Sequence, residues 1–140
     1  MVDIDITYDG SLHCTAAHRP SGKKLETDAP ADNHGRGESF SPTDLVATAL
    51  GTCMATTMNI FARDRDYRLE GMRVHVKKLM TPPPRRIARL EVEITLPPNA
   101  TASVPLGARA ELENAAHTCP VRVSLLDAVD VPVRFDWLSE

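Results

Sequence analysis

The stretch "SPTDLVATALGTCMATTMNIFARD", Ser41 to Asp64, decides how the rest of the chain is read. Its start carries three helix signals: Ser41 suits an N-cap, Pro42 a first helical position, and Asp44 stands three residues after Ser41 in a capping-box arrangement. Beyond it Leu45, Val46, Ala49, Leu50, Met54, Met58 and Phe61 cover most directions around a helical axis. A helix apolar on nearly every side is one to be enclosed, not laid on a surface. Thr and Asn in its body, and the lack of a run of about 18 apolar residues, argue against a membrane span. The pattern predicts a long buried central helix that closes at the charged segment "ARDRDYRLEG".

Upstream of the helix, Ile4 and Ile6 alternate with polar neighbours, predicting a strand over about 2–8 that turns at Asp9-Gly10. The return strand sets Leu12, Cys14 and Ala16 toward the core and His13, Thr15 and Ala17 away from it. After a turn at Pro20-Ser21-Gly22, a short strand near Lys24–Thr27 completes an antiparallel meander, and "DAPADNHGRGES" reads as an irregular loop.

Downstream, Met72, Val74 and Val76 alternate with Arg73, His75 and Lys77. Leu90, Val92, Ile94 and Leu96 alternate in the same way with Arg89, Glu91, Glu93 and Thr95, so "TPPPR" joins the two strands of a long hairpin. "PPNATAS" reads as a connection, followed by a second helix over about 105–117, a short helix opened by Pro120, and a last strand over 131–137. This order predicts a single α+β domain over 1–140. One sheet covers only one side of a helix, so enclosing this one calls for a second copy of the chain. The expectation is a dimer holding two central helices between antiparallel sheets.

Net charge is -3, and the 16 Lys and Arg residues are scattered, so no basic face for nucleic acid is expected. "MVDIDITYDG" lacks the basic start and apolar stretch of a signal peptide, and the expected compartment is the cytosol. Cys14, Cys53 and Cys119 stand too far apart for a CxxC clamp. In a reducing compartment, a disulfide between any two of them is more often transient and catalytic than structural.

Cys14, on the core face of its strand, reads as a small buried hydrophobe. Cys53 is ambiguous. Burial raises a thiol pKa, and three turns separate Cys53 from the helix start, so a reactive Cys53 needs a cation from elsewhere. Gly51, two residues before it, costs about 1 kcal/mol relative to Ala in a helix, which suggests that something packs close against that backbone. Cys119, in "HTCPVR", continues the Ala108, Leu112, Ala115 stripe and sits at a helix junction. His117 could support a thiolate there, or be a surface histidine. One central thiol and one at a junction fit a peroxidatic and resolving pair, with an apolar pocket lined by Met54, Met58 and Phe61. They also fit thiols that only pack. A metal site from Cys119, His117 and one of His13, His18 or His34 has poor spacing and no second clamp, so neither metal nor cofactor is expected.

"SFSPTDLVATALGTCMATTM", followed 66 positions after Cys53 by "HTCPV", resembles the OsmC/Ohr family of osmotically induced and organic-hydroperoxide-resistance proteins along essentially the whole chain. The resemblance implies an intertwined homodimer with active sites at the subunit interface. It implies thiol peroxidase activity that prefers organic hydroperoxides to hydrogen peroxide, with recycling by a dithiol such as a lipoylated protein. By position, Cys53 resembles the family's peroxidatic cysteine and Cys119 its resolving cysteine. An arginine and an acidic partner at the thiolate are implied as well. The hydroperoxide-resistance branch has Glu ten residues before the peroxidatic cysteine, where this chain has Thr43. Asp44, one residue later, resembles the acidic residue of related branches, or is only a helix cap. Arg36 and Arg19 are the candidate arginines, Arg36 preferred because its loop leads into the helix, with Glu38 placed to orient either. The alternative is a small-ligand-binding or redox-sensing protein of the same family, which Thr43 favours.

Overall fold

In the computed structural model, which describes residues 1–140, the chain forms two compact units, Met1–Val46 and Ala47–Glu140. The first unit holds a three-stranded antiparallel sheet, β1 (Ile4–Gly10), β2 (His13–His18) and β3 (Lys24–Asp28). The first turn falls at Ser11 and Leu12, two residues later than the alternation predicts, because the register slips between Tyr8 and Gly10. Gly10 is absorbed there at φ 89°, while Ser11 (φ 53°) and Leu12 (φ 60°) supply the two positive angles that a tight hairpin requires.

Residues directly opposite one another share a sheet face. The pairs Ile6–Ala16, Tyr8–Cys14, Cys14–Thr27 and Ala16–Leu25 therefore line up one apolar face. This is the face expected to meet the core, yet β2 has no fully buried residue and Leu12 has moved into the turn. Ile4, Ile6 and Tyr8 keep 59%, 69% and 63% of their surface exposed. Within one chain that face is open. The segment after β3 folds back on itself: Ala29 O accepts from Gly37 N–H at 3.2 Å, and a Cβ on Gly35 would fall on the Ala29 carbonyl, so residue 35 can only be glycine.

Helix α1 runs over Pro42–Ala62. Its start is the predicted capping box: Asp44 N–H donates to Ser41 Oγ (3.1 Å), and Ser41 N–H donates to Asp44 Oδ2 (2.9 Å). Expected to be enclosed all round, α1 buries a single stripe in one chain, Ala47, Leu50, Gly51, Met54, Met58 and Ala62. One sheet offers one face, so Thr48, Thr52, Thr56 and Ile60 stay exposed. By length and composition residues 42–65 would also serve as a membrane span. The buried stripe instead belongs to a core shared with Leu90, Ile94, Leu96 and Leu112.

In the second unit β4 (Arg73–Met80) and β5 (Ile87–Leu96) form the predicted antiparallel hairpin, with Val74 opposite Ile94 and Val76 opposite Val92. A Cβ on Gly51 would lie 3.0 Å from Val76 Cγ2 and 3.3 Å from Val74 Cγ1, which is the close approach that this glycine foretold. β6 (Val133–Trp137) pairs with β5 in parallel, Val92 with Val133 and Ile94 with Phe135. The sheets are therefore not wholly antiparallel. Parallel neighbours need a crossover instead of a hairpin. Here it carries α2 (Pro98–Ser103), α3 (Arg109–His117) and α4 (Pro120–Ser124). α2 occupies the stretch read as a plain connection, with Pro98 at its first position and Ala100 buried.

Candidate redox site

The crossover brings the second thiol to the first. α3 ends at His117, and Pro120 starts α4, leaving Cys119 as the extended N-cap between them (φ -62°, ψ 141°). Its Sγ accepts the Arg122 N–H at 3.3 Å, the bond an N-cap oxygen would ordinarily take. Cys119 is fully buried and part of the core. Cys53, on α1, is half-buried and packs against that core. The two thiols are neighbours: burial pushes the Cys119 thiol above its ordinary value, the Arg122 N–H opposes this, and the Cys53 sulfur pushes it up further. Cys119 is thus sealed in the core with its thiol pushed toward the protonated form, whereas Cys53 is only partly buried.

The predicted pocket lining changes. Met54 and Met58 have no exposed surface and fill the core, while Phe61 is half-buried with the Arg65 guanidinium 3.8 Å above its ring. His117 is exposed and meets Phe135 edge-on at 6.3 Å, the surface-histidine reading.

Of the candidate supporting residues, Asp44 serves the capping box, with Thr43 Oγ1 3.2 Å from Ser41 Oγ. Arg36 is half-exposed and faces two carboxylates of its own unit, Asp28 at 3.5 Å and Glu38 at 3.9 Å. Arg19 is clamped by Asp5 through two bonds of 2.6 and 2.9 Å at the exposed hairpin end. No group of three His, Cys, Asp or Glu side chains gathers as a metal would require.

One cluster escaped the sequence reading. His13 Nδ1–H donates to Asp28 Oδ1 at 2.7 Å, and His13 Nε2 lies 3.3 Å from Glu26. The only signal would have been the strand register that sets His13 opposite Asp28, and ending β3 at Thr27 hid it.

A family model described as OsmC-like protein matches residues 35–134. Among solved structures, an osmotic stress induced and detoxification response protein of Psychrobacter arcticus 273-4 is 37% identical, with a TM-score of 0.88 over 96% of both chains. An organic hydroperoxide resistance protein of Legionella pneumophila shares the fold at 18% identity and TM-score 0.73, covering 97% of this chain and 96% of its own. One from Elizabethkingia anophelis does so at 15% and 0.77, covering 99% and 96%. No curated protein matches.

Proposed function

The chain belongs to the OsmC-like family, and from that premise we propose that it is a thiol peroxidase acting on organic hydroperoxides. One observation carries the reading: a partly buried cysteine, Cys53, lies beside a sealed one, Cys119. The names of the fold relatives, organic hydroperoxide resistance proteins, agree with it.

In this reading the Cys53 thiolate attacks the terminal oxygen of the hydroperoxide. A sulfur–oxygen bond forms, the oxygen–oxygen bond breaks, and the departing alkoxide takes a proton and leaves as an alcohol. Cys53 is now a sulfenic acid. Cys119, on losing its proton, attacks that sulfur, and a disulfide forms as water leaves. A dithiol reductant, such as a lipoylated protein, returns two electrons and two protons. The family resemblance assigns the peroxidatic thiol a cation and an acidic partner, and Arg36 and Asp44 are the candidates this chain offers. An organic tail that buries about 100 Å² of apolar surface gains about 2.5 kcal/mol, which hydrogen peroxide cannot.

The working unit is a homodimer of a cytosolic protein. The open apolar face bearing Ile4, Ile6 and Tyr8 supports this, as does the uncovered side of α1. Thr43 in place of Glu favours the second reading, a ligand-binding or redox-sensing protein with little turnover.

The test is to treat reduced, oxygen-free protein with cumene hydroperoxide or hydrogen peroxide and follow rate and intact mass. Rapid loss of two hydrogens with the organic peroxide is expected, mapping to Cys53–Cys119 and absent in Cys53→Ser. Slow, equal reaction with both peroxides overturns the peroxidase and leaves the binding protein.

A further inference from the structure

Asp28 closes β3, and its side chain keeps only 3% of its surface exposed. A carboxylate so enclosed has to be met by cations or donors. Two cations converge on the same oxygen: His13 Nδ1 at 2.7 Å and Arg36 Nη2 at 3.5 Å from Oδ1. The two nitrogens therefore lie no more than about 6 Å apart, close enough for like charges to repel measurably. The histidine bond is short, whereas the arginine contact is at the outer edge of an ion pair.

We propose that Asp28 is a shared anchor for which His13 and Arg36 compete, so that the charge on His13 sets how firmly Arg36 is held. With His13 protonated, the carboxylate is already neutralised and Arg36 is repelled. With His13 neutral, Arg36 is the only full charge opposing Asp28. The other charged groups at the cluster are Glu26, on the second ring nitrogen of His13 (3.3 Å), and Glu38, 3.9 Å from Arg36. Glu38 also donates its backbone N–H to Asp28. The hydrogen bond to Asp28, followed by that to Glu26, raises the His13 pKa above its ordinary value. The functional consequence rests on the peroxidase reading: His13 and Asp28 become positioning residues for the arginine proposed to serve Cys53, released on acidification and retained at alkaline pH.

Coupling between two sites is reciprocal, so the competition can be read from either cation. The experiment is a proton NMR titration of the His13 ring in the wild type, Arg36→Gln and Asp28→Asn, assigned by comparison with His13→Gln. Removing Arg36 takes away a like charge and leaves the oxygen to His13, so the His13 midpoint rises in Arg36→Gln. It falls in Asp28→Asn, where the anchor is gone. An unmoved midpoint in Arg36→Gln overturns the proposal. Alkylation of Cys53 by iodoacetamide in the same Arg36→Gln protein separates the two readings. A raised His13 midpoint with an unchanged alkylation rate upholds the shared anchor and removes Arg36 from the peroxidase mechanism.

Discussion

Replacing Ile6 by Ala tests whether the open face of the first sheet is covered by a second copy. Ile6 keeps 69% of its surface exposed in one chain. The substitution removes three side-chain carbons, worth about 2.4 kcal/mol at about 0.8 each when fully buried. Scaled by the 69% still to be covered, this is about 1.7 kcal/mol per copy. A two-fold interface contains the residue twice, so the dimer loses about 3.3 kcal/mol, or about 200-fold in dissociation constant. The folded single chain should change little, because Ile6 lies outside its buried core. Sedimentation velocity over a wide concentration range reads the dissociation constant, and urea unfolding reads the chain. A wild-type monomer, or a dissociation constant within threefold of wild type, would refute the argument.

Met58→Ala, at a position with no exposure, should cost about 2–5 kcal/mol in urea unfolding with an unchanged denaturant slope. Cys119→Ser should stop after one peroxide, leaving a Cys53 sulfenic acid that dimedone traps and mass spectrometry counts. In the wild type, closure of the disulfide should quicken about tenfold per pH unit below the raised Cys119 value, since only the thiolate attacks; stopped-flow fluorescence follows it. The His13–Asp28 pair should give a stability plateau with two edges. His13 is raised, so its contribution is complete below the unfolded histidine value and lost as pH climbs through the folded one. Asp28 is lowered, principally by His13, so its contribution is complete above the unfolded carboxylate value and lost as pH falls through the folded one. Urea titrations from acid to alkaline pH should show both edges in the wild type and neither in Asp28→Asn.

Where structure follows from neighbours in sequence, the residues announced it. The capping box of Ser41 and Asp44, the β4–β5 alternation and the close packing at Gly51 all depend on local order or on one missing side chain. Pairing direction was not legible. Val131–Trp137 alternates identically whether β6 runs with or against β5, and only the helical content of the crossover decides it. The two thiols and their different roles were expected from motif and resemblance, but the complete burial of Cys119 was not legible, since only packing seals it. The ion pair of Arg36 with Asp28 was hidden for a related reason: Asp28 lies across a fold in the chain, and an ion pair has no periodicity.

The parallel pairing of β5 with β6 also constrains how the molecule can be made. Residues 97–132 must be laid down before β6 can take its place, and Cys119 travels within them. No short-range contact carries this thiol to Cys53, so their meeting belongs to the slow, non-local stage of folding. Until then three unpaired cysteines share one flexible chain, and an oxidant arriving early could join Cys14 to either of the others. On the proposed peroxidase reading, a reducing environment protects the nascent polypeptide from such mispairing, and the thiol pair is assembled only once the crossover has closed.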